Sequence, residues 1–86
     1  MGSRSSVSRI DAARPLSSLR AGASGIVARV NRDDAARADR LAALGVTPGA
    51  HVQVLQTFPG IVFRCDETEI AVERTVARAI LIDVRK

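Results

Sequence analysis

Apolar and polar residues alternate along five short segments of the chain. A period of two is typical of strands that bury one face and expose the other. The alternation predicts strands over residues 25–30, 51–56, 61–65, 69–73 and 79–85. Short strands at this spacing, in a chain of 86 residues, favour a barrel or a tight orthogonal sandwich.

Residues 34–44 carry the one substantial helical pattern. Asp33 or Asp34 is placed to cap the first N–H groups of this helix. Asp33 also lies four residues before Arg37, at the spacing of a helical ion pair. Alanine and leucine fall on one side of the helix, whereas Arg37 and Arg40 are expected elsewhere on its surface. We expect the small apolar stripe to lie across the outside of the sheet.

Two tight turns follow the helix. Gly45 stands where a residue in the left-handed conformation would end the helix, and Val46 is placed to fold back on the last helical turn. Residues 47–50, Thr-Pro-Gly-Ala, then fit a type II turn, because Gly49 supplies the positive φ that its third position requires. The helix is therefore expected to pass directly into the strand at residues 51–56.

These segments resemble the ferrous iron transport protein A (FeoA) family. The family pattern is an Arg/Leu-rich helix end, glycine, an aliphatic residue, Thr-Pro-Gly and a valine-alternating strand; residues 40–54 read RLAALGVTPGAHVQV. Similar segments are PLSSLRAGASGIVARV at 15–30, IVFRC at 61–65 and EIAVERTVARAILIDV at 69–84. The resemblance implies a mainly β fold, a small SH3-like β-barrel with one α-helix inserted after the first strand.

The charge of the chain is concentrated at its start. Residues 1–14 are rich in Ser and Arg and predict a disordered tail, whereas residues 15–86 form the predicted FeoA-like domain, anchored by Leu16 and Leu19. The net charge is +4, of which residues 1–20 carry four arginines against one aspartate. A face that binds nucleic acid needs its positive charge on the folded surface, so we expect no nucleic-acid partner.

The sequence shows no constellation of residues for catalysis or metal binding. His51 and Cys65 are the only soft metal ligands, which is too few for an iron or zinc site, so we predict no metal site and no cofactor. The serines have no plausible base partner, which predicts a protein that is not an enzyme. No apolar run is long enough to span a bilayer, and a single cysteine fits a reducing cytoplasm.

The resemblance implies a cytoplasmic accessory protein of ferrous iron uptake that binds the GTPase-bearing ferrous iron permease. Two alternatives remain open at this point. One is a stand-alone SH3-like regulatory domain of the metal-dependent repressor type. The other is a small nucleic-acid-associated barrel, which salt-dependent retention on heparin or RNA would support.

A docking surface is predicted from apolar residues that fall out of phase with the interior set of each strand. Leu55, Val62 and Leu81 are such residues, and an outward apolar patch marks an interaction site more often than an accident. Together with residues at the element ends they would form an apolar cleft between helix and barrel. This cleft would receive an apolar segment of the permease or a second copy of the chain. Its predicted residues are Leu44, Val46, Leu55, Phe58, Val62 and Leu81.

Overall fold

The structure, a computed structural model, describes residues 13–84. The elements in chain order are β1 (Arg14–Pro15), a 3₁₀ turn (Leu16–Ser18), β2 (Ser24–Val30), α1 (Ala35–Ala43), β3 (His51–Gln56), β4 (Ile61–Cys65), β5 (Thr68–Val72), α2 (Arg74–Ala77) and β6 (Ile80–Val84). All five predicted strands are confirmed within two residues at each end. Most of the predicted tail lies outside the described residues, but Arg14 pairs with Ile82, so ordered pairing begins before residue 15.

Six strands form one antiparallel sheet in the order β1-β6-β2-β3-β4-β5. The mainly β fold, with its one substantial helix after the first long strand, is confirmed. β2 approaches β6 so closely at Gly25 that a Cβ there would lie 2.5 Å from the carbonyl oxygen of Asp83. Glycine, which has no Cβ, permits this approach. β5 is the last strand of the order, and among residues 13–84 it pairs with β4 alone.

One aliphatic core fills the space that the strands enclose. It contains no buried polar or charged residue among residues 13–84, and Leu16 and Leu19 anchor the start of the domain as predicted. Phe63 is its one aromatic member, so the packing depends on branched aliphatic side chains. The largest of the fully buried side chains are Phe63, Leu16, Ile61, Ile80, Ile82, Val27, Val46 and Val54.

The start of α1 follows the predicted capping. The Asp34 carboxylate accepts a hydrogen bond from the backbone N–H of Arg37 at 3.1 Å, so Asp34 is the N-cap. The predicted pair of Asp33 with Arg37 is wrong. Asp33 lies outside the helix, where its N–H donates to the Asn31 side chain at 2.9 Å. Because it precedes the cap, Asp33 is not on the helical stripe that an i, i+4 pair requires.

The end of α1 is a Schellman motif. The N–H of Val46 donates to the carbonyl of Leu41, and the N–H of Gly45 donates to that of Ala42, both at 2.9 Å. Gly45 has a φ of 97°, as predicted. The type II turn after it is also confirmed, because Gly49 has a φ of 96° and the N–H of Ala50 donates to the carbonyl of Thr47.

The placement of α1 differs from the prediction. Leu41 and Val46 join the barrel core, and the Cys65 thiol donates to the carbonyl of Gly45 at 3.4 Å. The helix therefore packs on the interior side of the barrel and does not lie across its outer face. Val46 is only 1% exposed, so the prediction that it belongs to a docking cleft is wrong. The Schellman motif explains this, because it folds the residue after the glycine inward onto the helix.

We expect Gly45→Val to destabilise the domain by about 1–3 kcal/mol, because a β-branched residue is strained at positive φ. The measurement is the thermal midpoint, which should fall by about 4–8 °C for each kcal/mol in a domain of this size. Gly45→Asn should cost less, since asparagine tolerates the left-handed region. No Cβ contact is created at this position, so equal and negligible effects of both variants would contradict the cap.

Candidate functional site

A groove of about 380 Å³ separates α1 from the end of β5 and the start of α2. We refer to it as the β5–α1 groove. Its helix wall is formed by Arg37, Arg40, Leu41 and Leu44. Its opposite wall is formed by Ala71, Val72, Glu73 and Val76.

The helix wall follows from residue spacing. Its four residues stand at i, i+3, i+4 and i+7, which places them on one stripe of an α-helix. Leu41 turns into the core, whereas Leu44 is 48% exposed. Arg37 and Arg40 therefore lie on the same side of the helix as Leu41 and Leu44. The sequence-based prediction that they lie elsewhere on its surface is wrong. The spacing that shows this was already present in the sequence.

The strand wall is an edge and not a face. Ala71 is the cross-strand partner of Val62 and lies on the outer face, whereas Val72 is the partner of the fully buried Ile61. Successive residues of a strand point to opposite faces. Because both residues contact the groove, it runs along the edge of β5.

The register identifies which backbone groups point to this edge. The N–H of Asp66 donates to the carbonyl of His51 on β3, at 2.8 Å. Alternate residues of a strand bond to opposite neighbours, so Cys65 directs its backbone groups toward β5, where its partner is Thr68. Glu69 and Ala71 lie one and three residues beyond Thr68. Their N–H and C=O groups therefore face the groove side, where no strand among residues 13–84 pairs with them.

The helix wall carries positive charge without a carboxylate partner. Within the described part of the chain, the one ion pair joins Arg32 to Asp39 at 3.0 Å, and it involves neither Arg37 nor Arg40. The Nε atom of Arg37 is shielded from solvent and has no acceptor among residues 13–84. A buried donor without an acceptor costs about 1–3 kcal/mol, but an atom that is closed to water is also closed to a ligand in the groove.

The structure brings together only part of the predicted docking surface. Leu44 contacts the groove, and Val62 lies beside it as the cross-strand partner of Ala71. Leu55 is the extra residue of a bulge in β3. The residue after it, Gln56, pairs with Val62 on β4. Leu55 and Val62 are both half-buried. Val62 thus lies one strand away from β5 and Leu55 two strands away, and neither of them lines the groove.

Two of the predicted residues lie elsewhere. Phe58 is 81% exposed in the turn between β3 and β4, and it is outside the groove. Leu81 pairs with Arg29 and Pro15, so β2 and β3 separate it from β4. At about 4.8 Å for each strand spacing, roughly 14 Å lies between β6 and β4. A single continuous cleft containing Leu81 is therefore wrong.

A second hollow, of about 580 Å³, lies on the outer face of β2, β3 and β4. Ser24, Gln53 and Arg64 are successive cross-strand partners there, and all three are exposed. The hollow has no exposed apolar anchor and no polar side chain buried within it. Half-buried Ile26 also lines the hollow, but β2, β3 and β4 are each paired on both sides, so it contains no strand edge. The smaller β5–α1 groove, which runs along an edge, is the better candidate for binding.

His51 and Cys65 do not meet. Val52 is the partner of Cys65 and both are buried, so His51 points to the opposite, outer face. Burial, together with the neighbouring Asp66 carboxylate, raises the pKa of the Cys65 thiol and disfavours the thiolate that a metal would need. No group of three or more His, Cys, Asp or Glu within residues 13–84 is arranged to hold a metal ion. Among these residues there is likewise no helix long and apolar enough to cross a membrane.

A family model described as FeoA domain matches residues 14–84. The chain is similar to the FeoA protein of Chlorobium tepidum, with 31% identity and a TM-score of 0.75 over 84% of this chain and 70% of that one. It is also similar to an iron uptake regulatory protein (FeoA), with 26% identity and a TM-score of 0.76 over 85% and 97%. No curated protein matches the sequence.

Two further solved structures are similar to the chain. One bears on the fold and the other on an alternative function. The Stenotrophomonas maltophilia FeoA, a procaryotic SH3 domain protein solved with zinc, is 24% identical with a TM-score of 0.72, over 79% of this chain and 87% of that one. This likeness confirms the SH3-like fold. A manganese-dependent transcriptional repressor is 26% identical with a TM-score of 0.79, and the chain matches 42% of its length.

We expect the purified chain to bind no ferrous ion stoichiometrically, because its imidazole and its thiol lie on opposite faces of the sheet. Equilibrium dialysis under anaerobic conditions measures this directly, with His51→Ala as the matched control. Retention of one ferrous ion per chain that disappears in His51→Ala would show that the prediction is wrong.

Proposed function

The chain belongs to the FeoA domain family, and from this premise we propose that it is a non-enzymatic accessory protein of ferrous iron uptake. It acts in the cytoplasm by binding the ferrous iron permease that carries a GTPase domain. The β5–α1 groove is the binding surface. The observation that carries this proposal is that one groove combines the exposed Leu44 with a strand edge that no other described strand pairs with.

The composition of the groove supports a binding role. Leu44, Val72 and Val76 supply apolar contact, and Arg37 and Arg40 supply charge on one wall. A partly apolar surface with charges at its margin is typical of transient protein interfaces. The groove has no nucleophile next to a base among its residues, so a role in binding fits it better than a role in catalysis.

A second candidate follows from the similarity to the manganese-dependent repressor. In that reading the chain is a stand-alone SH3-like regulatory domain of the metal-dependent repressor type. The same groove would serve, but the occupant would differ. Association with the permease separates the two candidates.

We expect Leu44→Glu to weaken association with the ferrous iron permease of the same organism, because a carboxylate would replace the exposed apolar contact in the groove. Leu44 is half exposed, so the thermal midpoint should change little. Biolayer interferometry with the permease in detergent measures the affinity, and iron uptake by cells carrying the variant measures the consequence.

Phe58→Ser is the matched control for that experiment. It removes a more exposed apolar side chain that lies outside the groove, and it should leave the association unchanged. If Phe58→Ser abolishes association and Leu44→Glu does not, the binding surface is the β3–β4 turn. If the wild-type chain binds no permease at all, the proposed function itself is wrong.

A further inference from the structure

We propose that the β5–α1 groove binds an extended segment of its partner, which adds as a strand to the edge of β5 and places a carboxylate against Arg37 and Arg40. The identity of the partner rests on the proposed function. The mode of recognition rests on the groove alone and holds for any protein that presents such a segment.

The backbone of β5 supplies the first part of the recognition. The N–H and C=O groups of Glu69 and Ala71 point to the edge that β4 does not occupy. This ladder ends at Glu73, whose carbonyl accepts hydrogen bonds from Val76 and Ala77 in the first turn of α2. Four backbone groups are thus available, which suits an added strand of three to five residues.

The position of α1 turns this edge into a specific site. An edge open to solvent would accept any extended chain. Here Leu41 and Leu44 stand opposite Val72 and Val76, so the added strand is confined on one side by apolar side chains. Alternate side chains of that strand would point toward Leu44 on one face and toward Ala71 on the other. The segment must therefore carry aliphatic residues.

The charges specify a carboxylate on the segment. Arg37 and Arg40 both line the groove and have no carboxylate partner among residues 13–84. Guanidinium groups bind carboxylates with paired hydrogen bonds. Glu73 lies on the opposite wall, so an acidic residue of the segment would be directed toward α1 and away from β5.

A second copy of the chain is a weaker occupant. Residues 67–73 carry three glutamates and no basic residue. Pairing two copies of β5 would bring like charges of the two strands together, which is destabilising in a sheet. The segment therefore comes from a different protein, and self-association is an outcome that the test must reveal.

The test begins with the full chain and a displayed library of random dodecapeptides, counter-selected against Ala71→Pro. Proline is tolerated where a strand N–H faces away from its neighbour, so this change removes an edge donor and keeps the pairing of β5 with β4. Ala71→Val keeps the N–H and is the matched control. Circular dichroism and the thermal midpoint establish that both variants fold.

Selected peptides should alternate aliphatic with polar residues and contain Asp or Glu. Synthetic capped copies should lose about tenfold or more in affinity when alternate amides in one register are N-methylated, and much less in the other register. Arg40→Glu should weaken binding by about tenfold, whereas Arg64→Glu, on the outer face outside the groove, should change it by less than about twofold. These two measurements decide the question even if Ala71→Pro does not fold.

Several results would overturn the inference. They are the absence of any enriched peptide, equal binding of all selected peptides to Ala71→Pro, equal effects of N-methylation in both registers, or a preference for basic peptides. A concentration-dependent dimer that Ala71→Pro abolishes would assign the edge to a second copy instead.

Binding to the permease separates this inference from the proposed function. Permease binding that is lost in Leu44→Glu but unchanged in folded Ala71→Pro and in Arg40→Glu would leave the function standing and overturn the strand addition. Peptides that require the Ala71 N–H, with no binding of the permease, would support strand addition and overturn the function.

Discussion

The reversal of the chain at Gly45 is the constraint on which the rest of the structure depends. It folds Val46 back so that Val46 and Leu41 enter the barrel core side by side. The positive φ of Gly45 makes the reversal possible. The Cys65 thiol on β4 also donates a hydrogen bond to the carbonyl of Gly45. The direction in which α1 leaves the barrel, and so the position of the groove wall, follows from this one turn.

The energetic weight of this turn is large for so small a domain. Complete burial of an aliphatic side chain contributes about 1.5–3 kcal/mol, and Leu41 and Val46 are both nearly inaccessible to solvent. The whole stability of a domain is only about 5–15 kcal/mol. The helix therefore cannot detach from the barrel without a loss comparable to much of that stability. We infer that the β5–α1 groove has one fixed wall, which reduces the entropy lost when an extended segment binds.

Local patterns in the sequence were sufficient to predict much of the fold. The glycine cap, the Thr-Pro-Gly turn and the parity of each strand depend on neighbouring residues, and the structure confirms them. Parity shows which residues share a face but not which strands are neighbours. Parity alone therefore predicts one surface for Leu81 and Val62, although β2 and β3 lie between their strands.

The groove could not be predicted for the same reason. That β5 is an edge strand follows only from the order of the complete sheet, and that α1 faces this edge follows from packing. The prediction for Val46 is wrong because the residue after the glycine of a Schellman motif packs back onto the helix and is buried here. One part of the groove is predictable from the sequence. The spacing of Arg37 and Arg40 from Leu41 and Leu44 places all four residues on the helical stripe that faces the groove.

Native-state hydrogen exchange tests most directly whether α1 is fixed to the barrel. The N–H of Val46 bonds to Leu41 within the helix end, and that of Val54 bonds to Ala23 within the barrel. If the turn couples the two parts, both amides should exchange with the same opening free energy, equal to that of global unfolding. An opening free energy for Val46 lower by several kcal/mol than for Val54 would show that α1 detaches alone, and would contradict the account.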